Sequence, residues 1–256
     1  QMARLIEGAD HVISLVGILH ETKGNTFETV QAKGPMLVGK IAREKNVRSL
    51  VHVSAIGADV NSKSLYASSK GLGETYIRDE FEKTVILRPS IIFGPDDNFF
   101  NRFANLAAFA PFLPLIGGGT TKFQPVYVQD VASAIMVALE DSAKVGNDYE
   151  LGGPSIYSFR ELLELLEKHT LRKRALVNIP FFLASLQAKF LEILPNPPLT
   201  RDQVQLLKTD NIVSQDALTL QDLGISPTSC EAVLPTYLDR FRPGGRYNRS
   251  RLTTSS

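Results

Sequence analysis

Leu50-Val51-His52-Val53-Ser54-Ala55-Ile56-Gly57-Ala58-Asp59, followed after a polar loop by Tyr66-Ala67-Ser68-Ser69-Lys70-Gly71-Leu72-Gly73-Glu74, is the stretch that decides the fold. Residues 49–53 form a short, Val-rich run between Arg48 and Gly57, the pattern of a strand buried on both faces. Ser54 then stands at its carboxyl end, where ligands bind in open α/β sheets. The loop at 57–64 holds Asp59, Asn61 and two serines, all turn formers, and leads into a helix. Tyr66 and Lys70 are four apart on that helix and share one face.

The chemistry of such a trio is specific. A free phenol has a pKa near 10, too high for proton exchange at neutral pH, and a neighbouring cation lowers it by stabilising phenolate. Tyr66 is the candidate general acid or base toward a carbonyl or alcohol, Ser54 its orienting hydrogen-bond partner, and Lys70 the cation that tunes it. A bare Tyr-x-x-x-Lys pair is a weak signal, because many helices carry one on a solvated face.

Two later runs strengthen it: Leu87-Arg88-Pro89-Ser90-Ile91-Ile92-Phe93-Gly94-Pro95 and Gln124-Pro125-Val126-Tyr127-Val128-Gln129-Asp130-Val131-Ala132. With the strand, serine, loop and Tyr-x-x-x-Lys, they resemble the extended and atypical branches of the short-chain dehydrogenase superfamily. More closely, His52 to Asp59 and the spacing of the other motifs are similar to the dehydrogenase-like accessory subunits of respiratory complex I, the alpha subcomplex subunit 9 family. That resemblance covers nearly the whole chain, including Thr200-Arg201-Asp202-Gln203-Val204-Gln205-Leu206-Leu207 and Leu223-Gly224-Ile225.

The resemblance implies an α/β fold: a Rossmann-like doubly wound parallel sheet, its N-terminal strands missing from this chain, with a small, mainly helical C-terminal region. It divides the chain into a partial NAD(P)-binding domain at 1–177, a helical region at 178–240 and a basic tail at 241–256. The implied cofactor is NADPH or NADP, held by Val16, Gly17, Ser54, Tyr66, Lys70, Pro89 and Ile92, with Lys70 also a ribose ligand. The catalytic trio Tyr66, Lys70 and Ser54 would then be vestigial or cofactor-holding. The implied function is that of a non-catalytic accessory subunit supporting assembly of the NADH:ubiquinone oxidoreductase, among other subunits of its peripheral arm, on the matrix side of the mitochondrial inner membrane. The alternative is a free NAD(P)H-dependent short-chain reductase or nucleotide-sugar epimerase with Tyr66 as proton donor.

Composition bounds these readings. An apolar content of 43% and a charged content of 21% are globular values over 256 residues, enough for a sizeable core. The net charge of +1 argues against bulk capture by nucleic acid. Cys230 is the lone cysteine, which excludes an internal disulfide, and His11, His20, His52 and His169 lack metal-ligand spacing. No apolar run reaches the roughly 18 to 20 residues of a membrane span, so membrane contact is expected to be peripheral at most. No leader segment is visible and Gln1 is not a translation start, so the chain is expected to begin inside its gene product.

In order along the chain, residues 12–16 read as a buried strand, by resemblance the fourth of the family's sheet. No Gly-x-Gly-x-x-Gly or Gly-x-x-Gly-x-x-Gly turn precedes Gly17, so the pyrophosphate site would need a segment supplied by another chain or by sequence outside this one. A helix is expected at 26–46, ended or kinked locally at Gly34-Pro35 and capped near Asn46, then a strand at 84–87 closed by Pro89. A helix at 98–109 leads to a proline- and glycine-rich loop at 111–119, where Gly117 to Gly119 read as a turn or lid. Asp130 reads as the N-cap of a helix at 131–139, and a strand follows at 149–152. Ser158 with Glu161 and Thr200 with Gln203 read as capping boxes. Residues 181–194 read as a core or partner-facing helix, 215–223 as a segment ended by Gly224, and 227–240 as the last helix. His52 reads as a packed strand residue. The arginines at 240, 242, 246, 249 and 251 read as a solvated tail, or as one that docks on an acidic partner surface or lipid headgroups.

Overall fold

A computed structural model describes residues 2–244. The chain opens with α1 (Met2–Ile6) and β1 (His11–Ser14), then passes through a π-helical turn (Glu28–Lys33) into α2 (Gly34–Glu44). β2 (Ser49–Val53), α3 (Leu65–Glu80) and β3 (Val85–Pro89) follow. Short β4 (Ile92–Phe93) leads to α4 (Phe100–Phe109), β5 (Phe112–Ile116), β6 (Lys122–Phe123), β7 (Val126–Tyr127) and α5 (Val128–Glu140). Next come β8 (Asp148–Leu151), β9 (Tyr157–Ser158), α6 (Phe159–Thr170), β10 (Ala175–Ile179), α7 (Phe181–Leu191), α8 (Arg201–Leu206) and α9 (Cys230–Leu238).

The main sheet is wholly parallel, in the order β1-β2-β3-β8. The alternation of side chains along β2 explains its unbroken apolar run. Leu50 packs with Val38 and Ile41 of α2 and Ile77 of α3, while Val51 packs with Val131 and Ala134 of α5 on the opposite face. Helices thus cover both faces, and β1 forms an edge with no further strand beside it among the described residues.

A second core fills the space beyond β3. Phe93, Phe100, Leu113, Phe159, Leu162 and Leu234 meet there, with Phe99 and Phe103 each set edge-on to Phe159 at the aromatic centre. Asp97 sets α4 in place: its carboxylate accepts from the Phe99 and Phe100 amides and from the Tyr237 hydroxyl of α9 (2.6 Å).

Several local expectations are corrected. Residues 111–119 are not all loop: β5 pairs in parallel with β10, and Pro114 is tolerated because that sheet has only two strands and so leaves one side of β5 unpaired. The boundary drawn after residue 177 falls inside β10. At Gly34-Pro35 the helix changes character as expected: the π-helical turn ends at Lys33 and α2 begins, with the proline in its first turn. Asp130 is not the N-cap of α5, which begins at Val128. Its buried carboxylate instead accepts from the Thr228 amide (2.7 Å) and hydroxyl (3.0 Å). Within 215–223 only Gln221–Leu223 are helical, a 3-10 turn that ends at Gly224 as expected, because Leu218 bridges to Tyr149 and its carbonyl accepts from the Glu150 amide. Both capping boxes are present, and Asn46 takes the left-handed conformation (φ 57°) just past α2. Arg240 and Arg242 dock on the body through the Pro95 and His169 carbonyls, whereas Arg246, Arg249 and Arg251 lie outside the described residues.

The glycines beside Lys70 are dictated by close approach. A Cβ on Gly73 would lie 2.0 Å from the Gln31 carbonyl oxygen, and one on Gly71 would lie 2.6 Å from the Val60 amide nitrogen. Only glycine lets α3 press this closely on both the π-helical turn and the loop after β2. Gly73→Ala should therefore destabilise the protein by about 3 kcal/mol or more, the upper range for overpacking, as measured by urea unfolding.

Candidate functional site

The carboxyl ends of β1, β2 and β3 converge beside the first turns of α3. The Ser54 amide donates to the Leu87 carbonyl (2.7 Å) and the Ile56 amide to the Pro89 carbonyl (3.0 Å), which locks the loop after β2 against the end of β3. Ser54 Oγ is buried there without a hydrogen-bond partner among the described residues. A buried hydroxyl left unpaired is costly, so an acceptor or donor missing from this chain suits it.

Lys70 is only 4% exposed. Its ammonium donates to the Val16 carbonyl (3.3 Å) and the Val53 carbonyl (3.2 Å), and so spans the exits of β1 and β2. Gly17 follows directly, where an added Cβ would stand 3.4 Å from Lys70 Nζ and 3.6 Å from Gln31 Oε1. Gln31, fully buried, accepts from the Ile18 amide (3.0 Å) and donates to Ser69 Oγ (2.8 Å). No local pattern marks this glutamine, since its role depends on the π-helical turn that aims it at the β1 exit.

Tyr66 is half-buried, one turn before Lys70, with its ring edge-on to Phe27 at 6.1 Å. Its hydroxyl makes no hydrogen bond with Ser54 or Lys70, and burial pushes its pKa up to about 12. This corrects the expectation that Lys70 lowers the phenol: the ammonium is committed to two backbone carbonyls instead. Burial in turn brings Lys70 down to about 8, against the opposing pull of Glu74. His52, buried in β2, is held neutral by burial and by the nearby Lys70, its pKa lowered to about 3, which matches a packed residue. Pro89 closes β3, and half-buried Ile92 lies in β4 opposite Val126, so both stand beyond the same sheet end.

A segment from the C-terminal region straps this crevice. The Asp202 carboxylate accepts from Ser64 Oγ (2.8 Å), the Leu65 amide (2.7 Å) and the Tyr66 amide (3.1 Å), so it caps the very turn that carries Tyr66. Asn211 donates to the Ile56 carbonyl (3.0 Å) and accepts from Ser90 Oγ (2.7 Å). Sequence reading singled out the run at 200–207 but not these contacts. An aspartate just inside a capped helix ordinarily serves its own helix, and nothing local shows that it serves a second one.

The model of the NAD dependent epimerase/dehydratase family matches residues 1–152, more than half of the chain. The chain belongs to this family. Its curated relatives include the mitochondrial NADH dehydrogenase [ubiquinone] 1 alpha subcomplex subunit 9 of Arabidopsis thaliana, 35% identical over 93% of this chain and 62% of that protein. The same subunit of Dictyostelium discoideum is 30% identical over 96% of this chain and 69% of that protein. These are the relatives toward which the motifs around Ser54 and Tyr66 point. The chain spans 62–64% of the length of the Arabidopsis and mouse proteins. Among solved structures, the dTDP-glucose 4,6-dehydratase DesIV of Streptomyces venezuelae, with NAD and TYD bound, superposes with a TM-score of 0.71 at 20% identity, covering 98% of this chain and 77% of that one. That likeness shows the epimerase/dehydratase type of Rossmann-like fold.

Two outcomes follow from the site's electrostatics and its strap. Because Lys70 titrates near 8 in the folded chain and near 10.5 when unfolded, the unfolded state holds the extra proton between those values. Stability therefore rises with pH across that window. Urea unfolding at pH 7.5 and 10 should show the wild type gaining about 2–3 kcal/mol relative to Lys70→Met. Asp202→Ala, which strips three donors of their acceptor, should cost about 2 kcal/mol in the same assay.

Proposed function

We propose that this chain is a nucleotide-binding accessory subunit of the respiratory NADH dehydrogenase, in which the bound nucleotide stabilises fold and position without turnover. The carrying observation is the commitment of Lys70 to the Val16 and Val53 carbonyls while the Tyr66 phenol stays free of it, its pKa pushed up. Such a pair presents hydrogen-bonding groups to a ribose but leaves the Tyr66 phenol a weak acid, with no cation beside it to stabilise the phenolate that proton donation would leave.

The residues present fit one end of a dinucleotide. Ser54 Oγ is buried and unpartnered, Gly17 leaves the backbone open beside Lys70, and Pro89 and Ile92 stand beyond the β3 end. We assign Val16, Gly17, Ser54, Tyr66 and Lys70 to the nicotinamide ribose, and Pro89 and Ile92 to the nicotinamide itself. When bound, NADPH or NADP supplies hydride chemistry in general, but here its contribution is binding energy. A ligand that binds only the folded state adds about 3 kcal/mol at a hundredfold excess over its Kd. No glycine-rich pyrophosphate turn precedes Gly17, so that part of the nucleotide is left to residues outside 1–256.

The relatives' names support placement among the subunits of the mitochondrial enzyme, in its peripheral arm on the matrix side of the inner membrane. No described helix is long and apolar enough to cross a membrane. The second reading, a free reductase or epimerase with Tyr66 as proton donor, has the family match in its favour.

Native electrophoresis of gently solubilised mitochondrial membranes separates the two. The polypeptide should co-migrate with NADH dehydrogenase activity at very high mass, and Tyr66→Phe should leave ubiquinone reduction within about twofold of wild type. Removing a true acid–base group costs on the order of a hundredfold or more. A loss of that size with normal assembly, or a small soluble band, overturns the subunit reading.

A further inference from the structure

The two stretches 100–116 and 175–191, 17 residues each, contain Arg102 and Lys189 and no carboxylate. They form α4, β5, β10 and α7, and between these elements, closed at one side by Pro198 and Leu199, lies a cavity of 650 Å³. Its walls are apolar, among them Leu106, Phe109, Pro114, Ile179 and Leu191. Its volume lies in the range of small-molecule sites.

The helix that walls it is turned inside out relative to a core helix. α7 buries its small residues Ala184 and Ala188 and exposes Phe182 (70%) and Phe190 (66%), while Phe109 at the end of α4 is 89% exposed. Arg102 lines the cavity, and it forms no hydrogen bond or ion pair among the described residues. Partial burial already lowers its pKa. Arg102 is itself exposed, so its guanidinium stands at the wet rim of the apolar cavity, where an anionic head can pair with it while staying in water. The chemistry that fits an apolar cavity with one unpaired cation at its wall is a hydrocarbon chain carrying an acidic head.

We propose that this cavity binds the chain of a single anionic amphiphile, a long-chain carboxylate or acidic lipid, and that Arg102 takes its head group. The site lies apart from the Ser54–Tyr66–Lys70 crevice, and none of these three residues lines it. A polypeptide segment is the competing occupant, and it would need to bring a carboxylate of its own to Arg102.

The test titrates the detergent-free full-length protein with cis-parinaric acid, a fluorescent fatty acid. Saturable binding of one probe per chain is expected. Oleate should displace it at least about tenfold better than oleyl alcohol, because only oleate can pair with the guanidinium. Arg102→Gln should weaken binding about tenfold with an unchanged melting temperature, and Ala110→Trp, which places bulk in the cavity, should abolish it. The proposal is overturned by no saturable binding below the concentration at which the probe forms micelles, by equal competition from the alcohol, or by unchanged affinity in Arg102→Gln. It is also overturned by a structure of the native assembly in which a neighbouring polypeptide fills the cavity. Should Ala110→Trp fail to fold, the comparison of acid with alcohol and the Arg102→Gln affinity still decide.

Discussion

The burial of one ammonium, that of Lys70, organises the crevice. Taking that charge out of water is unfavourable, and two carbonyls at the exits of β1 and β2 offset the cost only because α3 lies close enough for a lysine to reach both. That closeness is what Gly71 and Gly73 permit, and the π-helical turn pressed against Gly73 is what aims Gln31 at the same exits. Lysine, glycines and turn form one constraint: loosening any of them separates α3 from the sheet ends where Ser54 and Gly17 stand.

One turn further along α3, Glu74 serves a different task on the same helix. It receives the Arg88 guanidinium through two bonds, at 2.9 and 2.7 Å, and Arg88 reaches on to Asp148 (2.7 Å), which also holds Arg78. This half-buried network, in which only Glu74 is fully enclosed, joins α3 to β3 and β8. Paired this way, the charges contribute positioning more than net stability, since their desolvation offsets much of the attraction. It explains why the run beginning Leu87-Arg88-Pro89 holds its arginine: the residue before the strand-ending proline clamps the helix whose other end carries Tyr66.

Local chemistry was legible in the sequence wherever a segment's partners are its own neighbours or a uniform apolar layer. β2 and β3, both capping boxes and the conformation of Asn46 are of that kind. What escaped reading depends on tertiary contact. Phe112-Leu113-Pro114-Leu115-Ile116 reads as loop because proline suppresses strand propensity, and only its pairing with a distant two-stranded partner makes it a strand. Asp130 sits where an N-cap is common, yet its acceptors are used by Thr228, almost a hundred residues on. At the site, the spacing of Tyr66 and Lys70 was readable, but the direction in which the ammonium points was not, because the carbonyls that attract it belong to other elements.

The strap formed by residues 200–213 sets how the two regions communicate. Asp202 lies in the first turn of α8 and at the first turn of α3, so one carboxylate stabilises two helix N-termini. Nine residues on, Asn211 holds the loop after β2 and Ser90 beyond β3 with the two ends of one amide. α8 is therefore hydrogen-bonded to the Tyr66 turn on one side and packs with α7 through Val204, Ala184 and Ala188 on the other. A displacement of α7 cannot be absorbed by a slack linker, because both ends of the strap are fixed to the crevice walls. By the same contacts, a ligand that orders Ser54 and the Tyr66 turn also orders α8. A subunit that uses a nucleotide for structure needs such a connection, since binding energy at the sheet ends stabilises a distant surface only through contacts that both share.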